Sequence, residues 1–140
     1  RTRFPAANLV HDTAGLASIA NALTALVDTP AQRPEIDLDE RGSDFERWVW
    51  AGLRAIPPGK TTTHGELTAQ LGLGRDPRGV TIAIASNPLA ILNPCHRVVK
   101  KDGSLSGYRW GVHRKRELLR RELRHERATF PATSSRPHLR

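Results

Sequence analysis

Cys95 is the strongest candidate nucleophile in this sequence, and it is the only cysteine among the 140 residues. It lies between Pro94 and His96. A thiol attacks as its thiolate, and a nearby base or positive charge lowers its pKa from about 8.5. A lone cysteine in an arbitrary domain is nevertheless more often buried and inert. With no second cysteine there is no internal disulfide, so we expect a reduced thiol in a cytoplasmic protein.

Positive charge is concentrated towards the C-terminal end of the chain. Residues 97–127 hold eleven Lys and Arg against four Asp and Glu, which is +7 of the formal net charge of +8. Such a block attracts phosphates by releasing condensed counterions, and it therefore favours a nucleic-acid partner. The competing interpretation is a solvated helix face that keeps the protein soluble. No run approaches the roughly 20 apolar residues of a membrane span, which excludes a membrane-spanning chain.

Capping residues and apolar spacing predict five helices. Ser43 with Glu46 three residues later forms a capping box, and so does Thr63 with Glu66. An apolar stripe at helical spacing predicts a helix over residues 13–28. The five predicted helices are 13–28, 43–57, 63–72, 78–86 and 112–126.

Two of these helices, 63–72 and 78–86, are short and joined by a glycine-containing turn. This is the outline of a helix-turn-helix, whose second helix usually meets DNA, although any two packed helices also fit it. Residues 96–99 predict a brief strand that turns at 101–103. The fold class is therefore mostly α with a small strand pair. The residues predicted to face the core from the second and last helices are Phe45, Trp48, Val49, Leu53, Ile56, Leu118, Leu119 and Leu123.

The motifs around Cys95 occur in an order that is typical of one protein family. They are Asn87-Pro88, Pro94-Cys95-His96-Arg97-Val98-Val99, Asp102-Gly103, Ser106-Gly107-Tyr108-Arg109-Trp110-Gly111 and Arg114-Lys115-Arg116-Glu117-Leu118-Leu119-Arg120-Arg121-Glu122. Together they resemble the O6-alkylguanine-DNA alkyltransferase family, and most of all the C-terminal domain of the bifunctional adaptive-response (Ada) proteins. The resemblance covers residues 41–123, and its Pro-Cys-His-Arg-Val core is highly specific.

The resemblance implies a single-use repair reaction. The family binds a guanine that carries an alkyl group on O6 outside the duplex, and a thiolate attacks the alkyl carbon in line. By this resemblance Cys95 is the nucleophile and permanent acceptor of the alkyl group. His96 would deprotonate it through a water, and Glu122 would hold and polarise His96. Asn87 would brace the turn near the active site.

The resemblance also implies a set of residues that bind the damaged DNA. The backbone of Cys95, Val98 and Arg109 would meet the guanine edge, and Arg78 would enter the base stack in place of the flipped nucleotide. His64 stands where the family usually has a tyrosine that assists flipping. Tyr108, Thr81 and Ile82 complete the predicted substrate- and DNA-binding set. Thr81, Ile82 and Ile84 are β-branched where the family prefers small residues, and Asn93 replaces an apolar residue before Pro94.

The resemblance divides the chain into three parts. Residues 1–40 are expected to be a remnant of the family's N-terminal region and a connecting segment, with the small β-sheet of that region largely missing upstream of Arg1. Residues 41–126 would form the helix-turn-helix (winged-helix-like) alkyltransferase domain, and residues 127–140 a loose tail. An upstream regulatory or repair domain fused to this chain is a further expected partner.

The expected partner is double-stranded DNA that contains O6-alkylguanine, repaired by a monomer, with weaker action on O4-methylthymine. No cofactor and no metal are expected, because Cys95 and six scattered histidines lack ligand spacing. One alternative is a non-catalytic binder of alkylated DNA, although the branch of the family with that role typically lacks the cysteine. Another is a domain that serves chiefly regulation in a larger adaptive-response protein. A third, an unrelated cysteine hydrolase, would need an oxyanion hole, for which the sequence has no motif.

Overall fold

Five α-helices, one turn of 3-10 helix and two very short strands make up the computed structural model, which describes residues 4–74 and 76–129. The elements, in chain order, are α1 (Thr13–Asp28), α2 (Asp44–Arg54), β1 (Thr62–Thr63), α3 (His64–Gln70), α4 (Pro77–Ala85), a 3-10 turn (Cys95–Arg97), β2 (Val98–Val99) and α5 (Val112–Thr129). The predicted fold class, mostly helical with a small strand pair, is confirmed. No helix in the described part of the chain is both long and apolar enough to cross a membrane.

Both predicted capping boxes begin helices. The Ser43 hydroxyl accepts from the Glu46 amide at 3.1 Å, and the Glu46 carboxylate accepts from the Ser43 amide at 3.0 Å. Thr63 and Glu66 repeat the arrangement at 3.1 and 2.9 Å at the start of α3. Because these bonds satisfy amides that have no partner inside the helix, they fix where α2 and α3 begin.

The strand prediction over residues 96–99 is only half correct. His96 and Arg97 belong to the 3-10 turn, in which the Arg97 amide donates to the Pro94 carbonyl at 3.0 Å. Only Val98 and Val99 form β2, which pairs in parallel with β1 in the register Thr62 with Val98 and Thr63 with Val99. In an extended strand, neighbouring side chains point to opposite faces, and the 3-10 turn removes this alternation at His96 and Arg97.

The core lies where α2 and α4 pack together, with residues from α3 and β2. Trp50 rather than Trp48 occupies it: the Trp50 indole is 1% exposed and donates to the Ala83 carbonyl at 2.8 Å, whereas Trp48 is 60% exposed. Leu123, predicted to point inward, is 41% exposed, which is also a correction. Helix α5 continues to Thr129, three residues beyond its predicted end, so residues 127–129 are helical. The rest of the predicted tail, 130–140, lies outside the described residues.

Candidate active site

Cys95 is the first residue of the 3-10 turn and lines a cavity of about 250 Å³. Its side chain is buried, with 8% of the residue exposed. Elements from across the fold reach this cavity: α3, the second half of α4, β2, the 106–110 segment and α5. The predicted site residues that line it are His64, Thr81, Asn87, Cys95, Val98, Tyr108 and Arg109.

Opposing effects act on the Cys95 thiol. Burial is the largest and raises its pKa, since a thiolate loses hydration inside the protein. The Asn87 amide, which donates to Sγ at 3.3 Å, lowers the pKa, and so do the positive charges of Lys115 and Arg109. The protein therefore surrounds a buried thiol with groups that favour its anion.

His96 and Glu122 form a buried pair behind the thiol. The His96 Nε2 atom lies 2.7 Å from Glu122 Oε1, and both residues are almost fully buried. Arg97 also donates to this carboxylate, with Nη2 2.8 Å from Oε1. Burial acts to raise the pKa of Glu122, but the hydrogen bonds from His96 and Arg97 outweigh it and lower the pKa to about 2. Glu122 is therefore an anion that holds His96 by one ring nitrogen.

The contact between His96 and Glu122 involves only one of the two ring nitrogens of His96. Nδ1 is buried and has no hydrogen-bond partner among the described residues. Because the Glu122 carboxylate only accepts hydrogen bonds, Nε2 carries the hydrogen in this contact, and Nδ1 of the neutral imidazole is then a hydrogen-bond acceptor. The sequence predicted the pairing of His96 with Glu122 through the family resemblance, but it did not predict that Arg97 would share the carboxylate.

Lys115 is a site residue that the sequence reasoning missed. It is 1% exposed, and its ammonium donates to the Val98 carbonyl at 2.7 Å and to the Ser106 hydroxyl at 2.9 Å. Burial lowers its pKa, while the neighbouring Cys95 acts in the opposite direction. The available signal was helical spacing, because Lys115 lies three, four and seven residues before Leu118, Leu119 and Glu122.

A second missed feature is a polar cluster beneath the thiol. The side chain of Asn93 is fully buried and bonds to Asn87, Glu40 and Arg54. Glu40 and Arg54 also form an ion pair. From the sequence, Asn93 was notable only as a replacement for an apolar residue, Glu40 belonged to the predicted connecting segment, and Arg54 had no predicted role.

Aromatic side chains form one wall of the cavity. The rings of Tyr108 and Trp110 meet edge to face with centroids 5.2 Å apart, and the Arg109 guanidinium lies 5.7 Å from the centroid of the Trp110 ring. Arg109 also donates to the Ala85 carbonyl at 3.2 Å, which ties this loop to the end of α4. Burial and nearby negative groups raise the pKa of Tyr108, so its phenol keeps its proton and can donate a hydrogen bond.

Of the residues predicted to contact DNA, some line the cavity and others lie on the surface beside it. Arg78 and Ile82 are exposed on α4 and do not line the cavity, whereas Thr81 lies on the same helix and does. His64 begins α3, and burial followed by the charge of Lys115 lowers its pKa, so its imidazole is neutral near pH 7. Ile84 is buried and faces the core. The helix-turn-helix thus presents its second helix next to the opening above Cys95.

This arrangement suits a reaction in which the sulfur of Cys95 accepts a group from a molecule that enters the cavity. The cavity has one nucleophile and hydrogen-bonding groups on several sides, and its mouth adjoins a helix of the kind that meets DNA. Among residues 4–74 and 76–129, no group of three His, Cys, Asp or Glu side chains is placed to hold a metal ion.

Comparison with known proteins identifies similar sequences and folds. Residues 44–124 match the family model described as 6-O-methylguanine DNA methyltransferase, DNA binding domain. The chain is 52% identical over 99 residues to the bifunctional transcriptional activator/DNA repair enzyme Ada of Escherichia coli, an alignment that covers 71% of this chain and 27% of that protein. It is 46% identical over 96 residues to a methylated-DNA–protein-cysteine methyltransferase of Mycolicibacterium paratuberculosis, covering 69% and 58% of the two chains.

A solved structure has the same fold. The crystal structure of Mycobacterium tuberculosis OGT in complex with DNA superposes with a TM-score of 0.72 at 38% sequence identity, and the match covers 78% of this chain and 68% of that one. The aligned part of this chain spans 27% of the length of Ada and 58% of the length of the curated methyltransferase. The similarity therefore concerns one part of longer proteins.

Proposed function

The chain belongs to the 6-O-methylguanine DNA methyltransferase family, and on this premise we propose that it repairs DNA by moving the alkyl group of O6-alkylguanine onto its own Cys95. The observation that carries the proposal is the position of Cys95. This single cysteine lines a cavity beside the exposed face of α4, with the buried His96–Glu122 pair behind it. Each molecule would act once, because a thioether is not hydrolysed.

The proposed reaction is an in-line displacement at the alkyl carbon. Cys95 gives its proton to Nδ1 of His96 through a water, and Glu122 stabilises the resulting imidazolium. The thiolate forms the C–S bond while the bond from the alkyl carbon to O6 breaks. The electron pair of that bond stays with guanine, which takes up at N1 the proton that His96 received, returned through water, so a normal guanine remains in the DNA. The amide of Asn87 and the ammonium of Lys115 stabilise the thiolate before attack.

Binding at this cavity requires the damaged base to leave the stack. Flipping a nucleotide costs a few kcal/mol of lost stacking and pairing, and a side chain that fills the gap recovers part of that energy. Arg78, exposed at the first turn of α4, is the proposed side chain. Thr81, Ile82 and His64 would contact the DNA around the opening, while Tyr108 and the backbone of Val98 and Arg109 would bind the base.

Three finer proposals follow. O4-methylthymine is a weaker substrate, because its single ring contacts fewer walls of the same cavity. Residues 41–126 form the alkyltransferase domain, whose last helix continues to Thr129, and the preceding residues form a connecting segment that contributes Glu40 to the polar cluster. The chain acts as a monomer on double-stranded DNA and is part of a longer repair or regulatory protein.

Intact mass tests the main proposal. Incubation with duplex DNA that contains one O6-methylguanine should increase the protein's mass by one methylene unit, about 14 Da, and peptide mapping should place it on Cys95. The Cys95→Ser variant should gain no mass yet keep its DNA affinity, because a hydroxyl is a much weaker nucleophile and the phosphate contacts remain. Unmodified duplex is the matched control.

Two results would contradict the proposal. A wild-type protein that binds the lesion selectively but gains no mass would be a non-catalytic lesion binder. A Cys95→Ser variant that still restores guanine at a comparable rate would show that Cys95 is not the acceptor.

A further inference from the structure

Asn93 makes an unusually complete set of hydrogen bonds for a buried side chain so close to the thiol. Its Oδ1 atom accepts from Arg54 Nη1 at 2.7 Å. Its Nδ2 atom donates to Glu40 Oε1 at 2.9 Å and to Asn87 Oδ1 at 3.2 Å. Each of these partners is an ion or an amide. Which group donates and which accepts in one hydrogen bond therefore depends on the neighbouring hydrogen bond.

The charged partners determine which way the Asn93 amide points. A carboxylate accepts hydrogen bonds only, and a guanidinium donates only. Glu40 therefore requires the Asn93 NH₂ on its side, and Arg54 requires the Asn93 oxygen on the other. Both requirements select the same orientation, and the second N–H of Asn93 is left facing Asn87.

The orientation of Asn93 is passed on to Asn87. Since Asn93 presents an N–H, Asn87 receives it with Oδ1, and its own NH₂ then faces Cys95 Sγ at 3.3 Å. A reversed Asn87 amide would place oxygen lone pairs against the thiolate. Backbone groups favour the same orientation, because the Leu89 amide donates to Asn87 Oδ1 at 3.1 Å and the Asn87 NH₂ donates to the Asn93 carbonyl at 2.9 Å. The Asn93 side chain therefore reinforces this orientation rather than setting it alone.

We propose that Glu40, Arg54 and Asn93 are positioning residues that hold the Asn87 amide with its N–H directed at the sulfur, and that they thereby stabilise the thiolate. We call these residues with Asn87 the polar relay. The proposal rests on the proposed role of Cys95 as nucleophile. It gives a role in the reaction to Glu40, which lies in the segment between α1 and α2.

Other groups also face the thiol and set the background for this effect. Burial raises the pKa of Cys95, and the Asn87 hydrogen bond is the largest of the effects that lower it, ahead of the charges of Lys115 and Arg109. The polar relay therefore acts, through Asn87, on the largest of the effects that lower the pKa of Cys95. The further titratable or charged groups around Cys95 are Tyr108 and His64 in the cavity wall and His96, Arg97 and Glu122 behind it.

The test measures the acidity of the thiol directly. Cys95 is the only cysteine in the chain, so the rate of reaction with iodoacetamide as a function of pH reports this thiol alone. In Asn93→Leu, which keeps the size but removes the amide, the midpoint of the profile should rise by up to about one pH unit, the tenfold effect of one hydrogen bond. The plateau rate at high pH should stay unchanged, because the thiolate is then fully formed.

A double variant tests the same proposal independently of Asn93→Leu. Glu40→Gln with Arg54→Gln removes both charges, and with them the requirement for one orientation of Asn93, without changing net charge. The midpoint should move in the same direction by a smaller amount. Its matched control is Asp39→Asn with Arg41→Gln, which neutralises the neighbouring exposed ion pair of 3.1 Å and should leave the midpoint in place. This arm remains informative if Asn93→Leu fails to fold.

An unchanged midpoint in both the single and the double variant would overturn the proposal. So would an equal decrease in rate at every pH, including the plateau, which indicates a merely structural role. The assay contains no DNA, so its outcome is separate from that of the mass measurement. A wild-type protein that takes no methyl group from O6-methylguanine DNA would defeat the proposed function whatever the midpoint does.

Discussion

His64 lies at a position where the family resemblance implies a tyrosine. It lines the cavity from the first position of α3, and its lowered pKa leaves a neutral imidazole, shorter than the phenol that the family usually has there. We expect His64→Tyr to speed repair of a duplex more than reaction with free O6-benzylguanine. A phenol there would assist flipping, which the free base does not require.

Single-turnover rates on both substrates check this prediction. Comparison with His64→Phe, which supplies the ring without the hydroxyl, isolates the contribution of the hydrogen bond. Equal changes for duplex and free base would place residue 64 in the chemistry or the shape of the cavity instead.

Lys115 supplies a buried positive charge near the thiol. We expect Lys115→Met to raise the pKa of Cys95, because the ammonium is one of the groups that lower it. The midpoint of thiol reactivity should move to higher pH, by up to about one unit, and stability should fall because the Val98 carbonyl loses its donor. The measurements are the pH profile of iodoacetamide labelling and thermal unfolding.

Lys101→Met is the matched control, because Lys101 is exposed in the loop after β2. It removes the same charge without touching the site. A Lys115→Met profile that superposes on the control would mean that the ammonium does not act on the sulfur.

At the scale of elements, capping chemistry made the helices predictable. The side chains of Ser43 and Thr63 each accept from an amide three residues later, so the two capping boxes located the starts of α2 and α3. The two strands were harder, because two residues are too few to show an alternating pattern. The pairing of Val98 with Thr62 joins positions 36 residues apart, which local patterns do not encode.

The site residues also differ in whether a local sequence pattern could predict them. The Cys95, His96 and Glu122 constellation was predictable because a family motif marks it. The positions of Arg97, Glu40 and Arg54 were not, since their roles arise from contacts across the fold. Trp48 and Trp50 illustrate the problem within one helix, because both have the same hydrophobicity and only the position of α4 decides which is buried.

Helix α4 carries the prediction for base flipping. We expect Arg78→Ala to slow repair of a well-paired duplex more than repair of single-stranded DNA, because a single strand has little stack to refill. Rates at saturating DNA remove losses that come only from weaker binding. Arg116→Ala is the matched control, since Arg116 is also an exposed arginine but lies on α5.

A general phosphate contact predicts a different outcome. Binding would then weaken on every sequence and strand form, and the salt dependence would decrease by about one ion. A single-strand rate that falls as far as the duplex rate would refute the role of Arg78 in the stack.

At the scale of the whole molecule, Glu122 joins parts of the chain that are distant in sequence. From α5 it accepts hydrogen bonds from His96 and Arg97 in the 3-10 turn and from the Gly59 amide at 3.4 Å. Arg97 in turn donates to the Ile56 carbonyl at 2.5 Å, just beyond α2. The carboxylate proposed to hold the catalytic histidine therefore also ties the last helix to the rest of the fold.

This double role predicts how stability depends on pH. The pKa of Glu122 is about 2 in the folded protein, below the ordinary value of 4.5 that an unfolded chain would have. Its contribution to stability is therefore complete above about pH 5 and is lost as the pH falls towards about 2, where both states bind the proton. In Glu122→Gln this part of the pH dependence should disappear, because no proton is taken up at residue 122.

Stability at pH 7 should fall by about 3–5 kcal/mol in this variant, since Arg97 keeps a buried charge without its partner. Urea unfolding of both proteins from pH 7 to pH 3 measures both effects. Glu126→Gln is the control, because this α5 carboxylate pairs with Lys60, which is largely exposed. A Glu122→Gln protein that loses stability with acid as steeply as the wild type would show that other carboxylates determine its acid sensitivity.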